Sequence, residues 1–164
     1  MPLLEQIFSQ INNFFSASHF LFGFDKCDRL HGHNYSVSVN FKYNSGDMTS
    51  PIDFRIVNNA IKNELELLNQ KILLPKNSQK IVISSLPNDK NWQIIVNDSK
   101  IYSFPKNDVI ILDGIEQITT ESLAYYLHLK LSSWLRQNYP NLIITLAILI
   151  TESPGNHAKF SASL

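Results

Sequence analysis

Three residues that could bind zinc or move protons lie within ten positions, in the stretch KCDRLHGHNY (26–35). They are Cys27, His31 and His33, in a chain that contains one cysteine and five histidines. Thiolate and neutral imidazole are both metal ligands, and both take part in proton transfer. The stretch is therefore either a metal site with a base beside it or a polar loop whose residue types coincide by chance.

Strand geometry would bring the two histidines to one ion. Side chains two positions apart point to the same face of a strand, so His31 and His33 could share a metal, and His19 on the preceding strand could add a third ligand. Three neutral imidazoles leave the fourth position of zinc open, which is typical of catalytic sites, and Gly32 between the ligands avoids crowding. A closed structural zinc with Cys27 as fourth ligand stays an alternative.

The elements that would position these residues follow from the hydrophobic pattern. HNYSVSVNFKY (33–43) alternates polar and apolar residues, which predicts a strand with one buried face. Apolar residues at helical spacing predict helices over 53–70, with Asp53 as N-cap, and over 119–140. The other predicted elements are a strand over 8–22, a hairpin over 91–104 with its turn at Asn97–Asp98, and a buried strand over 142–150. This order predicts an α+β fold with an antiparallel sheet.

Composition narrows the functional classes. A chain of 164 residues with 44% hydrophobic and 17% charged residues is typical of one globular domain. Fourteen basic and fourteen acidic side chains cancel, which gives no indication of a nucleic-acid or anionic-membrane partner. No apolar run is long enough to span a bilayer. A single cysteine fits a reducing compartment, so a soluble cytoplasmic protein is expected.

The segments FSASH and KCDRLHGHNYSVSVNF resemble the signature of the 6-pyruvoyltetrahydropterin synthase family, which includes the 6-carboxytetrahydropterin synthases of queuosine biosynthesis. PIDFRIV, ITTESLAYYL and LITESPGNHAKF follow in the family's order, and the similarity extends from about residue 14 to residue 160. The resemblance implies the T-fold, an antiparallel β-sheet with two helices packed on one face. It also implies a homo-oligomer, a trimer or hexamer in which the sheets join edge to edge into a barrel.

The resemblance also implies a chemistry. The zinc ligands carried over are His19, His31 and His33, and the implied substrate is 7,8-dihydroneopterin triphosphate. Glu152 matches the family's ring-binding acid, since a carboxylate can accept both the amino group and the ring N–H of a pterin edge. Zinc would stabilise the charge that develops when a neighbouring carbon loses a proton, with Cys27 as the base. Glu121 has a simpler explanation, because an acid in the first turn of a helix favours the helix dipole.

Two features depart from the family pattern. LNQKILLP places Asn69 and Gln70 where the family carries an Asp-His pair, and neither amide titrates near neutral pH. Residues 75–112 are longer than the family's connection and carry the predicted hairpin, as an insertion in a single domain over 1–164 that covers the pocket or extends the sheet.

Three functions stay open at this point. The first is a zinc-dependent lyase that eliminates triphosphate. The second is retro-aldol cleavage of the side chain to a 6-hydroxymethyl-dihydropterin. The third is a protein that binds zinc and pterin without catalysis. Asn69 and Gln70 favour the second and third, whereas Cys27 favours an enzyme.

Overall fold

The computed structural model describes residues 3–44, 52–87 and 90–164, which form ten strands and two α-helices. In chain order these are β1 (Leu3–Phe8), β2 (Phe14–His19), β3 (His31–Asn44), α1 (Phe54–Leu68), β4 (Lys71–Pro75), β5 (Ile81–Ser85), β6 (Asn91–Val96), β7 (Lys100–Pro105), β8 (Val109–Leu112), α2 (Thr120–Asn138), β9 (Ile143–Ser153) and β10 (Asn156–Ser163). Neither helix in these ranges is long and apolar enough to cross a membrane.

The main sheet has seven strands and is built around β3. One edge of β3 pairs with β2 and then β1, the other edge pairs with β9, and β10 lies beyond β9. These pairings are antiparallel, as predicted. Beyond β2 the sheet continues through β4 and β8, which run parallel to β2, so the whole sheet is mixed. Strands β4 and β8 are parallel to each other. Between them the chain forms a separate sheet and then returns to the N-terminal end of β4, where β8 begins.

Two helices pack on the sheet, and local signals fix where they begin. The Asp53 carboxylate accepts the N–H of Arg55 at the start of α1, and Thr119 and Ser122 form a capping box at the start of α2. The predicted helices over 53–70 and 119–140 are confirmed to within two residues at each end. Their buried residues join the main core with inward-facing residues of the sheet, among them Phe15, Tyr35, Val37, Leu73 and Ile148.

The strand predictions were incomplete. The expected strand over 8–22 is instead β1 and β2, separated by a short 3₁₀ turn at Gln10–Asn12, and β2 ends at His19. Strands β4, β5 and β8 were not predicted, and neither was the final strand β10. Its residues alternate between exposed and half-buried, and none is fully buried, so this edge strand lacks the apolar run that marked the buried strand beside it.

Part of the segment expected as an insertion, residues 75–112, forms a small sheet of its own. Strands β5, β6 and β7 pair in that order, and β6 and β7 form a hairpin whose turn residues Asn97 and Asp98 both have positive φ, at 49° and 52°. Positive φ at both central residues is typical of type I′ hairpin turns, and the turn lies at the two residues where the sequence predicted it. Leu73 of β4 joins the helix-covered core, whereas the adjacent Leu74 packs with the insertion. The small sheet therefore lies against the face of the main sheet opposite the helices, and β8 extends the main sheet.

Candidate metal centre

Strand pairing brings three histidines together. His19 at the end of β2 pairs directly with His31 at the start of β3, and His33 lies two residues further on the same face. One nitrogen from each ring can be chosen so that all three lie within 4.8 Å of one another. The ring centroids of His19 are 4.5 Å from those of His31 and 5.3 Å from those of His33. This geometry can hold a metal ion, as the spacing of the residues predicted.

Backbone carbonyls fix the tautomers of two of these rings. The Nδ1 of His19 lies 2.7 Å from the carbonyl oxygen of Ile118, and the Nδ1 of His31 lies 2.7 Å from that of Arg29. A carbonyl oxygen can only accept, so each Nδ1 carries the hydrogen and donates it. The lone pair is then on Nε2 in both rings. A histidine that binds a metal through one ring nitrogen is usually oriented by such a hydrogen bond from the other ring nitrogen.

Burial keeps His19 neutral. Its side chain is 1% exposed, and desolvation lowers its pKa from 6.5 to about 4, against the opposing effect of the bond to Ile118. The nearby His31 and His33 lower the pKa further. A neutral imidazole is the form that binds metal, so the ring is ready for coordination at neutral pH without loss of a proton.

Tyr35 closes the inner side of the cluster and was not singled out from the sequence. Its hydroxyl lies 3.3 Å from the Nε2 of His19. Burial, and then the charge of Glu152, raise the pKa of Tyr35, so the phenol stays protonated and, without a metal, donates to the Nε2 lone pair that a metal would take. The signal was present in the sequence, because Tyr35 is two residues after His33 and therefore points to the same face of β3.

Glu152 lies beside the histidines, near the end of β9. Its Oε1 is 3.5 Å from the Nε2 of His33, and its Oε2 accepts a hydrogen bond of 2.6 Å from the hydroxyl of Thr120. The Nε2 of His33 is buried and has no hydrogen-bond partner among the described residues. Thr120, the first residue of α2, thus orients the carboxylate toward the cluster. Sequence reasoning did not find this contact, which joins residues 32 positions apart.

Two cavities flank the beginning of β3, and Gly32, His33 and Asn34 line both of them. One, of about 470 Å³, lies toward β9 and is also lined by Glu152. The other, also of about 470 Å³, lies toward β2 and β4 and is also lined by Gln70. Each is large enough for a small organic ligand.

Cys27 lies apart from the metal-binding group. It is on a short 3₁₀ turn at Asp25–Asp28, in the loop between β2 and β3, and its side chain is partly exposed. Among the described residues, the ligand atoms that cluster within 4.8 Å belong to the three histidines and do not include its sulfur. A closed site with the thiolate as fourth ligand is therefore not what this arrangement forms.

Asn69 and Gln70 link α1 to β4 and are hydrogen-bonded to β2. The side-chain Oδ1 of Asn69 accepts the backbone N–H of Ser16, at 3.1 Å, and the backbone N–H of Gln70 donates to the carbonyl of Ser16, at 2.6 Å. Gln70 has φ of +56° and lines the cavity toward β4 together with His33. Glu121, the other acid considered from the sequence, is exposed in the first turn of α2.

The mixed sheet with its two helices and three convergent histidines defines a T-fold protein with a potential metal site. The chain belongs to the 6-pyruvoyl tetrahydropterin synthase family, a family of pterin-processing lyases, whose family model matches residues 9–163.

Relatives agree with this assignment. Over 147 residues the chain is 32% identical to a Methanocaldococcus jannaschii protein named "Putative 6-carboxy-5,6,7,8-tetrahydropterin synthase", covering 89% of this chain and 88% of that one. The solved 6-pyruvoyl tetrahydropterin synthase of Plasmodium falciparum is 28% identical, with a TM-score of 0.84 and 99% of both chains covered. That of Plasmodium vivax is 24% identical, with a TM-score of 0.87 over 100% of both chains, and supports the fold.

Proposed function

We propose that this chain is a zinc-dependent lyase that acts on 7,8-dihydroneopterin triphosphate, as a 6-pyruvoyl- or 6-carboxy-tetrahydropterin synthase. The 6-carboxy product would connect it to queuosine biosynthesis. One observation supports the proposal: three histidines that could hold a metal ion lie directly beside the Glu152 carboxylate, which could accept the donors of a pterin ring edge. Membership of the family and similarity to proteins named for these reactions support the choice of substrate.

Zinc is the metal that suits this donor set. Three neutral imidazoles with an open fourth position are typical of catalytic zinc, whereas calcium and magnesium prefer oxygen ligands. The carbonyl partners of His19 and His31 support metal-binding tautomers, and the buried Nε2 of His33 has no hydrogen-bond partner among the described residues. When bound, zinc would act as a Lewis acid toward the oxygens of the substrate side chain.

Glu152 would anchor the pterin ring. The ring edge presents an amino group and a ring N–H side by side, and a carboxylate can accept both in charge-assisted hydrogen bonds. Thr120 holds one carboxylate oxygen and so limits rotation of the group, which favours a single orientation of the ring. The cavity lined by Glu152 and His33 offers about 470 Å³ for this part of the substrate. The anchor would thus place the side chain of the substrate toward the histidines.

Cys27 would be the base that takes a proton from the substrate side chain. It lies on the loop between β2 and β3, the two strands that carry the three histidines. Its partial exposure allows a substrate to approach the thiol. A thiol can exchange protons near neutral pH once its thiolate is populated. The chain has no other cysteine, so the effect of replacing this residue would report on a single thiol.

A second candidate reaction is cleavage of the side chain to a 6-hydroxymethyl-dihydropterin, and a third outcome is binding without catalysis. The amide pair supports both alternatives. The Oδ1 of Asn69 is already engaged by the backbone of Ser16, and neither Asn69 nor Gln70 can relay a proton near neutral pH. Side-chain cleavage still requires a metal, a base and a ring anchor, all of which the proposed site supplies.

Products identified by mass separate the three functions. Zinc-loaded protein is incubated with 7,8-dihydroneopterin triphosphate, with Cys27→Ala as the matched control. Triphosphate release with a 6-pyruvoyl or 6-carboxy product supports the main proposal, and a 6-hydroxymethyl product supports the second. Turnover that is unchanged in Cys27→Ala would exclude the thiol as the base. The double variant Asn69→Asp with Gln70→His should raise elimination by about a hundred-fold or more if the pair is the missing acid and base.

Assembly into a trimer or hexamer is part of the same proposal. Among the described strands, β8 and β10 end the main path of the sheet, and β1 pairs with β3 alone. Open edges invite pairing with another chain, and edge-to-edge pairing into a barrel would satisfy them.

A further inference from the structure

The loop between β2 and β3 decides where Cys27 lies relative to the histidines. It starts directly after His19 and ends directly before His31, so both of its ends are fixed by the metal-binding group. Its only regular structure is the 3₁₀ turn at Asp25–Asp28. Three backbone bonds lie within it: the N–H of Leu21 donates to the carbonyl of Cys27, that of Cys27 to Phe24, and that of Arg29 to Lys26. From outside the loop, the side-chain Oε1 of Gln117, just before α2, accepts the N–H of Phe22 at 2.6 Å. Further contacts from outside the loop come from the insertion.

Apolar residues of the insertion pack against the first part of this loop. Phe20 and Phe22 are 2% and 5% exposed, and both belong to the cluster formed with β5 and β6. The ring of Phe20 stacks on that of Tyr102 in β7, with centroids 5.4 Å apart and an interplanar angle of 15°. The ammonium of Lys80 lies 5.9 Å from the ring centroid of Phe22. The small sheet thus packs against the residues that lead from His19 toward the cysteine.

The tip of the hairpin holds the second part of the loop. Lys100 is the first residue of β7, immediately after the turn, and its Nζ donates to the carbonyl oxygen of Asp28 at 2.9 Å. Asp28 follows Cys27 directly and also caps the loop internally, since its Oδ1 accepts the N–H of Phe24 at 2.9 Å. The insertion therefore contacts the loop on both sides of the cysteine, through Tyr102 before it and Lys100 after it.

We propose that the insertion braces the Cys27 loop against the metal-binding group, and that Lys100 and Tyr102 are positioning residues for the thiol. The proposal rests on the proposed role of Cys27 as base. A displacement of about 1 Å in a reacting group can cost on the order of a hundred-fold in rate, so a brace that fixes the loop would act on turnover even though it contacts neither substrate nor metal.

The test compares Lys100→Met, which keeps the length of the side chain and removes its donors, with Lys100→Arg, which restores a donor. Lys62→Met is the matched control, since Lys62 is exposed on α1. Tyr102→Leu removes the aromatic stack, and Tyr102→Phe keeps it. Three properties are measured: the zinc content, kcat and KM for 7,8-dihydroneopterin triphosphate, and amide hydrogen exchange of residues 20–30 in the zinc-loaded protein.

We expect Lys100→Met to exchange about five-fold faster over residues 20–30, the factor for losing one hydrogen bond, and to lose about ten-fold in kcat. KM and zinc content should stay unchanged, and Lys100→Arg should recover most of both losses. Unchanged exchange or unchanged kcat in Lys100→Met would overturn the brace, even if Tyr102→Leu fails to fold. Full activity of Cys27→Ala would refute the base itself, which is a separate result.

Discussion

Replacing Glu152 by Gln tests the proposed ring anchor most directly. The change keeps the shape of the side chain but removes its charge and puts an NH₂ group where one oxygen accepts. A pterin edge offers two donors, so one hydrogen bond is lost and the other becomes neutral. Hydrogen bonds to a charged group contribute about 1.5–3 kcal/mol, which corresponds to an affinity weaker by about 10- to 150-fold. Zinc content should stay unchanged, because the proposed ligands are the three histidines and not Glu152.

Two control variants make this test specific. Thr120→Val keeps the size of the side chain but removes the hydroxyl that donates to Oε2 of Glu152. That variant should weaken binding by about five-fold, the effect of one neutral hydrogen bond. Glu121→Gln makes the same chemical change at an exposed acid in the first turn of α2 and should leave the affinity unchanged.

Neopterin is a suitable ligand, since it carries the pterin ring and its fluorescence reports binding. Equilibrium titrations of the three variants and the parent protein give the dissociation constants, and atomic spectroscopy gives the zinc content of each sample. An unchanged affinity in Glu152→Gln with zinc retained would refute the anchor. A loss in Glu121→Gln instead would place the ring at the start of α2.

The purified protein should carry about one zinc per chain by metal analysis, and His31→Ala or His33→Ala should remove most of it, whereas Cys27→Ala should retain it. Burial lowers the pKa of His19 from 6.5 to about 4, so the unfolded chain binds this proton more tightly than the folded one. As the pH falls from 6.5 to 4, the unfolding free energy of the zinc-free protein should therefore decrease by up to about 3 kcal/mol. Urea titrations should show a smaller decrease in His19→Gln. Light scattering should give a mass that is a multiple of three chains, and a monomer at micromolar concentration would contradict the barrel.

The helices and the histidine cluster were predictable because their signals are local. Capping residues mark both helix starts, and the convergence of the histidines needs only the two-residue period of a strand and one neighbouring strand. The contact between Thr120 and Glu152 was not predictable, since it depends on how α2 packs on β9. The position of Cys27 relative to the cluster was not predictable for the same kind of reason, because a loop without periodicity gives no register.

The insertion shows where prediction from sequence stops. The turn at Asn97–Asp98 marks its hairpin, because residues that tolerate positive φ stand between two apolar strands. Which surface the hairpin covers depends on Phe20, Phe22 and Leu74, which are distant in sequence from it. Apolar residues indicate that they will be buried but not against which partner, so the packing of the small sheet emerged only in three dimensions.

The cluster of three histidines and the hydrophobic core depend on one strand register. His19 pairs with His31 in the same ladder in which Phe15 pairs with Tyr35. The rings of Phe15 and Tyr35 stack with centroids 4.9 Å apart, and both side chains are fully buried. A slip of β2 by one residue would move His19 and Phe15 to the face opposite their partners on β3, which would separate the histidines and expose Phe15 at a large cost in buried apolar surface. The energy that fixes the position of the histidines therefore comes from the core, so the cluster can form before any metal is bound.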